Sequence, residues 1–170
     1  SYKTNDIDGI MKSAADIIWR ISNTFLLSPK FLLGMLQKEQ SLVTNPTPKP
    51  SQLDWAMGYA VCDSCSISDP SVSKFKGFAK QLDSAARQFR LGYISDLDLK
   101  GRTMTNIAPG VPVTISGMQV VPENKATAAL YTYTPHLEGN KNLWRIWQDW
   151  FSHMNYPTGA ILKDKKTGDY

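Results

Sequence analysis

At 170 residues, 42% hydrophobic and 20% charged with 11 Gly and 10 Pro, the chain has the size and composition of one globular domain with its own core, which excludes disordered, collagen-like and coiled-coil classes. No apolar run approaches the roughly 18 residues that a membrane span needs. The net charge of +4 is scattered except at Lys163, Lys165 and Lys166, with no basic stripe interleaved with aromatics, so nucleic acid is not an expected partner.

Asp6 or Asp8 can cap a first helix, because Ile7, Ile10, Met11, Ala14, Ile17, Ile18 and Ile21 recur at intervals of three and four. Ser28-Pro29 starts a second helix, filled by Phe31, Leu32, Leu33, Met35 and Leu36 up to about Ser41. Pro46, Pro48 and Pro50 end it. Ser51 and Asp54 suggest a short capped turn with Leu53, Trp55, Ala56 and Met57, closing at Gly58. A long helix is expected from Asp69-Pro70 to near Gly92, on the spacing of Phe75, Phe78, Ala79, Leu82, Ala85, Ala86 and Phe89. Val111, Val113 and Ile115 alternate among Gly110, Pro112 and Gly117, which reads as a small two-stranded ribbon. Asn124 can cap a helix through Ala126–Tyr131 that Pro135 closes, and Leu143, Ile146, Trp147 and Trp150 mark a last amphipathic helix, with Trp144 and Phe151 also assigned to core. The sum is a mainly α protein with a minor β element. Residues 1–162 form the expected domain; 163–170 read as a tail, a truncated linker or the start of a further module.

The residue with the clearest chemical potential is Glu39. It follows Leu32, Met35 and Leu36 by seven, four and three residues, which puts it on their apolar helix face. Burial there, and a place in the last turn at the negative end of the helix dipole, both favour a neutral carboxylic acid over a carboxylate. Lys38 opposes this weakly from another face. A neutral acid suits glycosidic bond cleavage, whose leaving oxygen must receive a proton. Spacing alone equally fits an exposed Glu at a frayed helix end.

Three segments carry a resemblance. Phe31-Leu32-Leu33-Gly34-Met35-Leu36-Gln37-Lys38-Glu39-Gln40-Ser41 resembles the helix of goose-type lysozymes and soluble lytic transglycosylases that ends in a catalytic Glu followed closely by Ser. Ala56-Met57-Gly58-Tyr59-Ala60-Val61-Cys62-Asp63 is similar to the Gly-Leu-Met-Gln segment lining their saccharide groove. Ala129-Leu130-Tyr131-Thr132-Tyr133-Thr134-Pro135 is similar to the Ala-Tyr-Asn-Ala-Gly-Pro segment whose Tyr faces the catalytic Glu. The same segments also resemble a divergent bacterial group, often found in secreted multidomain proteins. Gln40 stands where the family has Ser, Val61 replaces the groove Gln, and Thr132 replaces the Asn.

The resemblance implies a lysozyme-like fold with a small β-hairpin insertion, acting on peptidoglycan glycan strands outside the cytoplasm, as a secreted or cell-envelope protein. It implies a monomer with no cofactor and no metal. Glu39 would be the general acid and Tyr131 would brace it or stabilise charge at the anomeric carbon, the alternative being a structural Tyr. Asp63 falls where goose-type lysozymes carry an Asp that holds the attacking water, which favours hydrolysis over lytic transglycosylation. A backbone-bonded loop Asp is the alternative, and Asp54 is a reserve candidate. Gln40, Ser41, Met57, Tyr59 and Tyr133 are candidate substrate contacts, with Trp55 a further stacking surface. Cys62 and Cys65 have metal or redox spacing, but a zinc site needs two more ligands and only His136 and His153 exist. A redox motif would need a βαβ setting. In a secreted protein a local disulfide pinning the Asp63 loop is the better reading, free thiols the other. A glycan-binding module without catalysis is the rival of a different class.

Overall fold

The computed structural model describes residues 2–61 and 66–152, so Cys62, Asp63, Cys65, His153 and the tail lie outside the described residues. It is mainly helical with two small antiparallel hairpins. In order come β1 (Lys3–Asn5), β2 (Met11–Ser13), α1 (Ala14–Phe25), α2 (Pro29–Gln40), α3 (Pro50–Asp54), α4 (Pro70–Ser73), α5 (Phe78–Arg87), a π-helical segment (Gln88–Ile94), α6 (Ser95–Lys100), β3 (Val113–Ile115), β4 (Met118–Val120), α7 (Lys125–Tyr133) and α8 (Leu137–Phe151). Among the described residues no helix is long and apolar enough to cross a membrane.

The N-terminus departs from the helical periodicity. Residues 3–13 form a hairpin that pairs Lys3 with Ser13 and Asn5 with Met11, and Ile7, Ile10 and Met11 are exposed. Local turn chemistry overrides the pattern: the Ile10 amide donates to the Asp8 carboxylate at 3.0 Å and the Asp6 amide to the Ile10 carbonyl at 2.9 Å. Helix α1 begins seven residues later than a cap at Asp6 would place it. Its cap is Ser13, which accepts from the Asp16 amide while the Asp16 carboxylate accepts from the Ser13 amide.

Asp6 instead joins the hairpin to the helices. Arg20 of α1 grips it with two bonds of 2.7 Å, Lys12 adds a third at 2.8 Å, and the other arm of Arg20 reaches Asp83 of α5 at 3.0 Å. Burial pushes the Asp6 carboxyl up, but the Arg20 and Lys12 hydrogen bonds outweigh it and hold the group at about 2. A folded value below the ordinary 3.8 means that this contribution is present above about pH 4 and is lost as pH falls towards 2. It is worth about 2 kcal/mol. Urea unfolding at pH 6 and pH 2.5 should show a loss of that order that Asp6→Asn does not show.

The core lies where α1, α2, α5 and the π-helical segment meet, with Ile17, Ile21, Leu32, Met35 and Leu82 fully buried; each such side chain contributes about 1.5–3 kcal/mol. Helix α1 packs on α5, α2 on α8, and α7 on the π-helical segment. The long helix expected after Pro70 is divided. Residues 74–77 interrupt it, and Gly77 precedes α5. Beyond α5 the chain does not stop near Gly92 but continues through the π-helical turn into α6. Phe89 and Tyr93 both point inward from that turn. Phe89 then meets Phe31 of α2 edge-on, with ring centres 4.9 Å apart, and lies stacked on Tyr133 of α7 at 4.6 Å.

The ribbon, the Asn124 cap and the stop before Pro135 are where the sequence puts them. The last helix is less buried than its four aromatics suggest, with Trp144 62% and Trp147 37% exposed. Trp150 and Phe151 are half-buried. Only Leu137 and Leu143 of α8 are buried, because the helix meets the body along one narrow face.

Candidate functional site

Glu39 stands in the last turn of α2. The helix ends there because Ser41 takes a left-handed conformation (φ 55°), its amide returning to the Gln37 carbonyl at 2.9 Å and the Leu42 amide to the Leu36 carbonyl at 3.3 Å. Ser41 is exposed and Gln40 half-buried; the Gln40 carbonyl accepts from the Gln52 amide group of α3 at 2.8 Å. Both residues have structural work at the helix end.

The Glu39 side chain is 21% exposed, and its two oxygens have different neighbours. The Lys38 ammonium donates to Oε1 at 2.6 Å and to the Thr134 hydroxyl, just beyond α7, also at 2.6 Å. Lys38 is 5% exposed at the side chain, so the pair is held largely out of water, where a charge-assisted bond is strong. Adjacent residues on a helix do not face each other. The long Lys chain must therefore curl around, and this is why sequence spacing underrates the pair.

Oε2 faces Gly58. A Cβ built on Gly58 would stand 3.1 Å from it, and Gly58 has φ +63°. Both the close approach and the left-handed backbone require glycine. Gly58→Ala should cost about 1–2 kcal/mol through backbone strain and push Glu39 from its position. Thermal unfolding together with a glycan-cleavage assay would check the two effects, and an unchanged protein would show that the approach is slack.

The loop bearing Gly58 is fixed from below by Gln81 of α5, fully buried. Its carbonyl oxygen accepts from the Tyr59 amide at 2.9 Å, and its amide group donates to the Tyr59 and Phe75 carbonyls at 3.1 and 3.0 Å. The sequence reading passed over Gln81. The available signal was a polar residue at the third position after Phe78 and the fourth before Ala85, within the buried stripe of α5.

Tyr133 closes the site from α7. Its hydroxyl donates to the Met57 carbonyl at 2.7 Å. Burial raises its pKa well above the ordinary phenol value, and the negative charge of Glu39 adds to this, followed by Tyr93 and Tyr59. Tyr133 thus stays a neutral donor next to Glu39. Tyr131, the residue the motif placed opposite Glu39, is two positions away and so turned by about 200° on the helix. It lines a separate groove of about 960 Å³ with Phe31, Met118, Leu130, Trp144 and Trp147. Tyr133 is the tyrosine of α7 on which the Glu39 charge acts.

Met57 is fully buried and Trp55 buried, so neither side chain offers a surface; Met57 acts through its carbonyl. Tyr59 is half-buried, its ring edge-on to Phe75 at 5.0 Å. Asp54 is half-buried and 3.3 Å from the Lys76 ammonium. His136 is exposed at the start of α8. Asp63, Cys62 and Cys65 lie outside the described residues.

Three distant segments, the end of α2, the 55–59 turn and the end of α7, thus define a mainly helical domain with a Glu–Lys pair walled by a glycine and a phenol. The model of the LasA N-terminal domain family matches residues 5–158, and the chain belongs to that family. The motif segments resemble goose-type lysozymes, soluble lytic transglycosylases and a divergent group of secreted bacterial proteins, and the family match by itself does not extend to a lysozyme-like superfamily. Searches of curated proteins and of solved structures gave no match.

Proposed function

We propose that the domain is a lysozyme-like, peptidoglycan-cleaving glycosidase acting on the bond between N-acetylmuramic acid and N-acetylglucosamine, with Glu39 as general acid. The observation that carries this reading is the meeting of Glu39 with Gly58 and Tyr133, from the three segments whose motifs resemble the glycosidase family. Oε2 would pass its proton to the glycosidic oxygen as the bond from the anomeric carbon breaks, leaving an oxocarbenium-like centre. In hydrolysis a water held by Asp63 attacks that centre through its oxygen and passes a proton to the Asp63 carboxylate. In lytic transglycosylation the muramyl hydroxyl attacks and Glu39 takes back the proton. A secreted or cell-envelope location belongs to the same proposal and is supported by the association of LasA-type domains with secreted bacterial proteins. So does a monomeric state.

A second reading, a wall-glycan-binding module with weak or no catalysis, is favoured by one observation. Tyr131, Trp144 and Trp147 line an open groove away from Glu39, and sugar rings stack on such exposed aromatic planes. Product ends from purified peptidoglycan separate the readings. Reducing muramic acid ends that Asp63→Asn suppresses support hydrolysis, and anhydromuramic ends that survive Asp63→Asn support transglycosylation. Tight retention on the wall with no new ends supports the binding module.

A further inference from the structure

We infer that Lys38 is a positioning residue for the Glu39 proton, an inference that rests on the reading of Glu39 as an acid. Its ammonium occupies Oε1, so that Oε2, the oxygen turned towards Gly58, is the one left to carry and deliver the proton. The geometry is built for this. Lys38 Nζ lies 2.6 Å from Glu39 Oε1 and 2.6 Å from Thr134 Oγ1, so one side chain ties the end of α2 to the link between α7 and α8. Gly139 in the first turn of α8 leaves the room this needs: a Cβ there would stand 2.8 Å from Thr134 Cγ2 and 3.4 Å from Lys38 Cε.

When Glu39 is neutral, Oε1 is its carbonyl oxygen and still accepts from Lys38. When Glu39 is ionised, the same contact becomes a full ion pair that favours the charged form. Lys38 pairs with Glu39 from its own helix, and the charge of Glu39 acts on the Tyr133 phenol of α7. Tyr93 and Tyr59 also act on the Tyr133 phenol. On α8, which packs on α2, Glu138 and Lys141 are paired with each other at 2.7 Å and exposed.

The test follows the Glu39 carboxyl carbon by 13C NMR through a pH titration of the whole chain, in parent, Lys38→Met and Lys38→Arg proteins. Lys38→Gln serves as a second neutral variant should Lys38→Met fail to fold. Removal of the charge should raise the titration midpoint by about one pH unit or more, a tenfold gain in proton affinity, and Lys38→Arg should return it towards the parent value. The alkaline limb of the glycan-cleavage rate should move up by the same amount, with kcat reduced and KM little changed. A midpoint that stays put in the neutral variants overturns the role of Lys38, whatever Glu39 does. A midpoint that moves while Glu39→Gln remains active leaves the ion pair standing but overturns its catalytic meaning, together with the acid role of Glu39.

Discussion

Glu39→Gln is expected to lower glycan cleavage by about 10²–10⁴-fold, the range that a positioned general acid supplies, while the domain stays folded and still binds wall glycan. The amide keeps the shape of the side chain, and its oxygen can still accept from the Lys38 ammonium that now contacts Oε1 at 2.6 Å. What is lost is the proton at Oε2. Lys38 is only 5% exposed at the side chain and keeps the amide oxygen as its acceptor, while Glu39 at 21% is within reach of water, so the variant should stay folded at a cost of about 1–3 kcal/mol. Steady-state cleavage rates with a parallel thermal melt check both halves. A variant that retains most of its activity would return Glu39 to the role of a structural ion-pair partner.

The largest effect on stability should come from a residue that performs no chemistry. Gln81→Leu fills nearly the same space but removes the acceptor for the Tyr59 amide and the donor for the Tyr59 and Phe75 carbonyls. Gln81 is fully buried, and each buried polar group left without a partner costs about 1–3 kcal/mol. Partial relaxation of the loop towards water brings the expected total to about 3–4 kcal/mol, a large share of a typical domain's stability. Chemical denaturation measures it directly. Activity should fall as well, since the same bonds hold Gly58 against Glu39; a loss under about 1 kcal/mol would mean that the loop is held by something other than Gln81.

Much of the helical frame was legible because it follows from local rules. Ser28-Pro29 starts α2, Asn124 caps α7, and the alternating valines form the ribbon, each decided by residues next to one another in the chain. Failures arose where a competing interaction is not local. The apolar spacing of Ile7, Ile10 and Met11 reads as a helix, but the turn at Asp6–Gly9 and the grip of Arg20 on Asp6 stabilise a hairpin instead. The π-helical turn leaves no mark in the spacing, because Phe89 and Tyr93 fit an ordinary helical stripe as well.

The site was legible to a similar degree. Glu39 and Gly58 could be named from their segments, and the structure brings them together. Choosing between Tyr131 and Tyr133 requires the rotational setting of α7, which depends on Phe89 stacking beneath it. The Lys38 contact with Thr134 joins residues 96 positions apart, beyond the reach of any motif.

Cleavage of wall glycan by the Glu39 proton can be read from purified peptidoglycan incubated with the parent chain and with Glu39→Gln, by identifying the newly formed muramic acid ends with mass spectrometry. New reducing or anhydromuramic ends are expected from the parent protein, with a near-complete loss of them in Glu39→Gln. Glycan strands left at their original length by a folded parent protein, or the same new ends from both proteins, would contradict it.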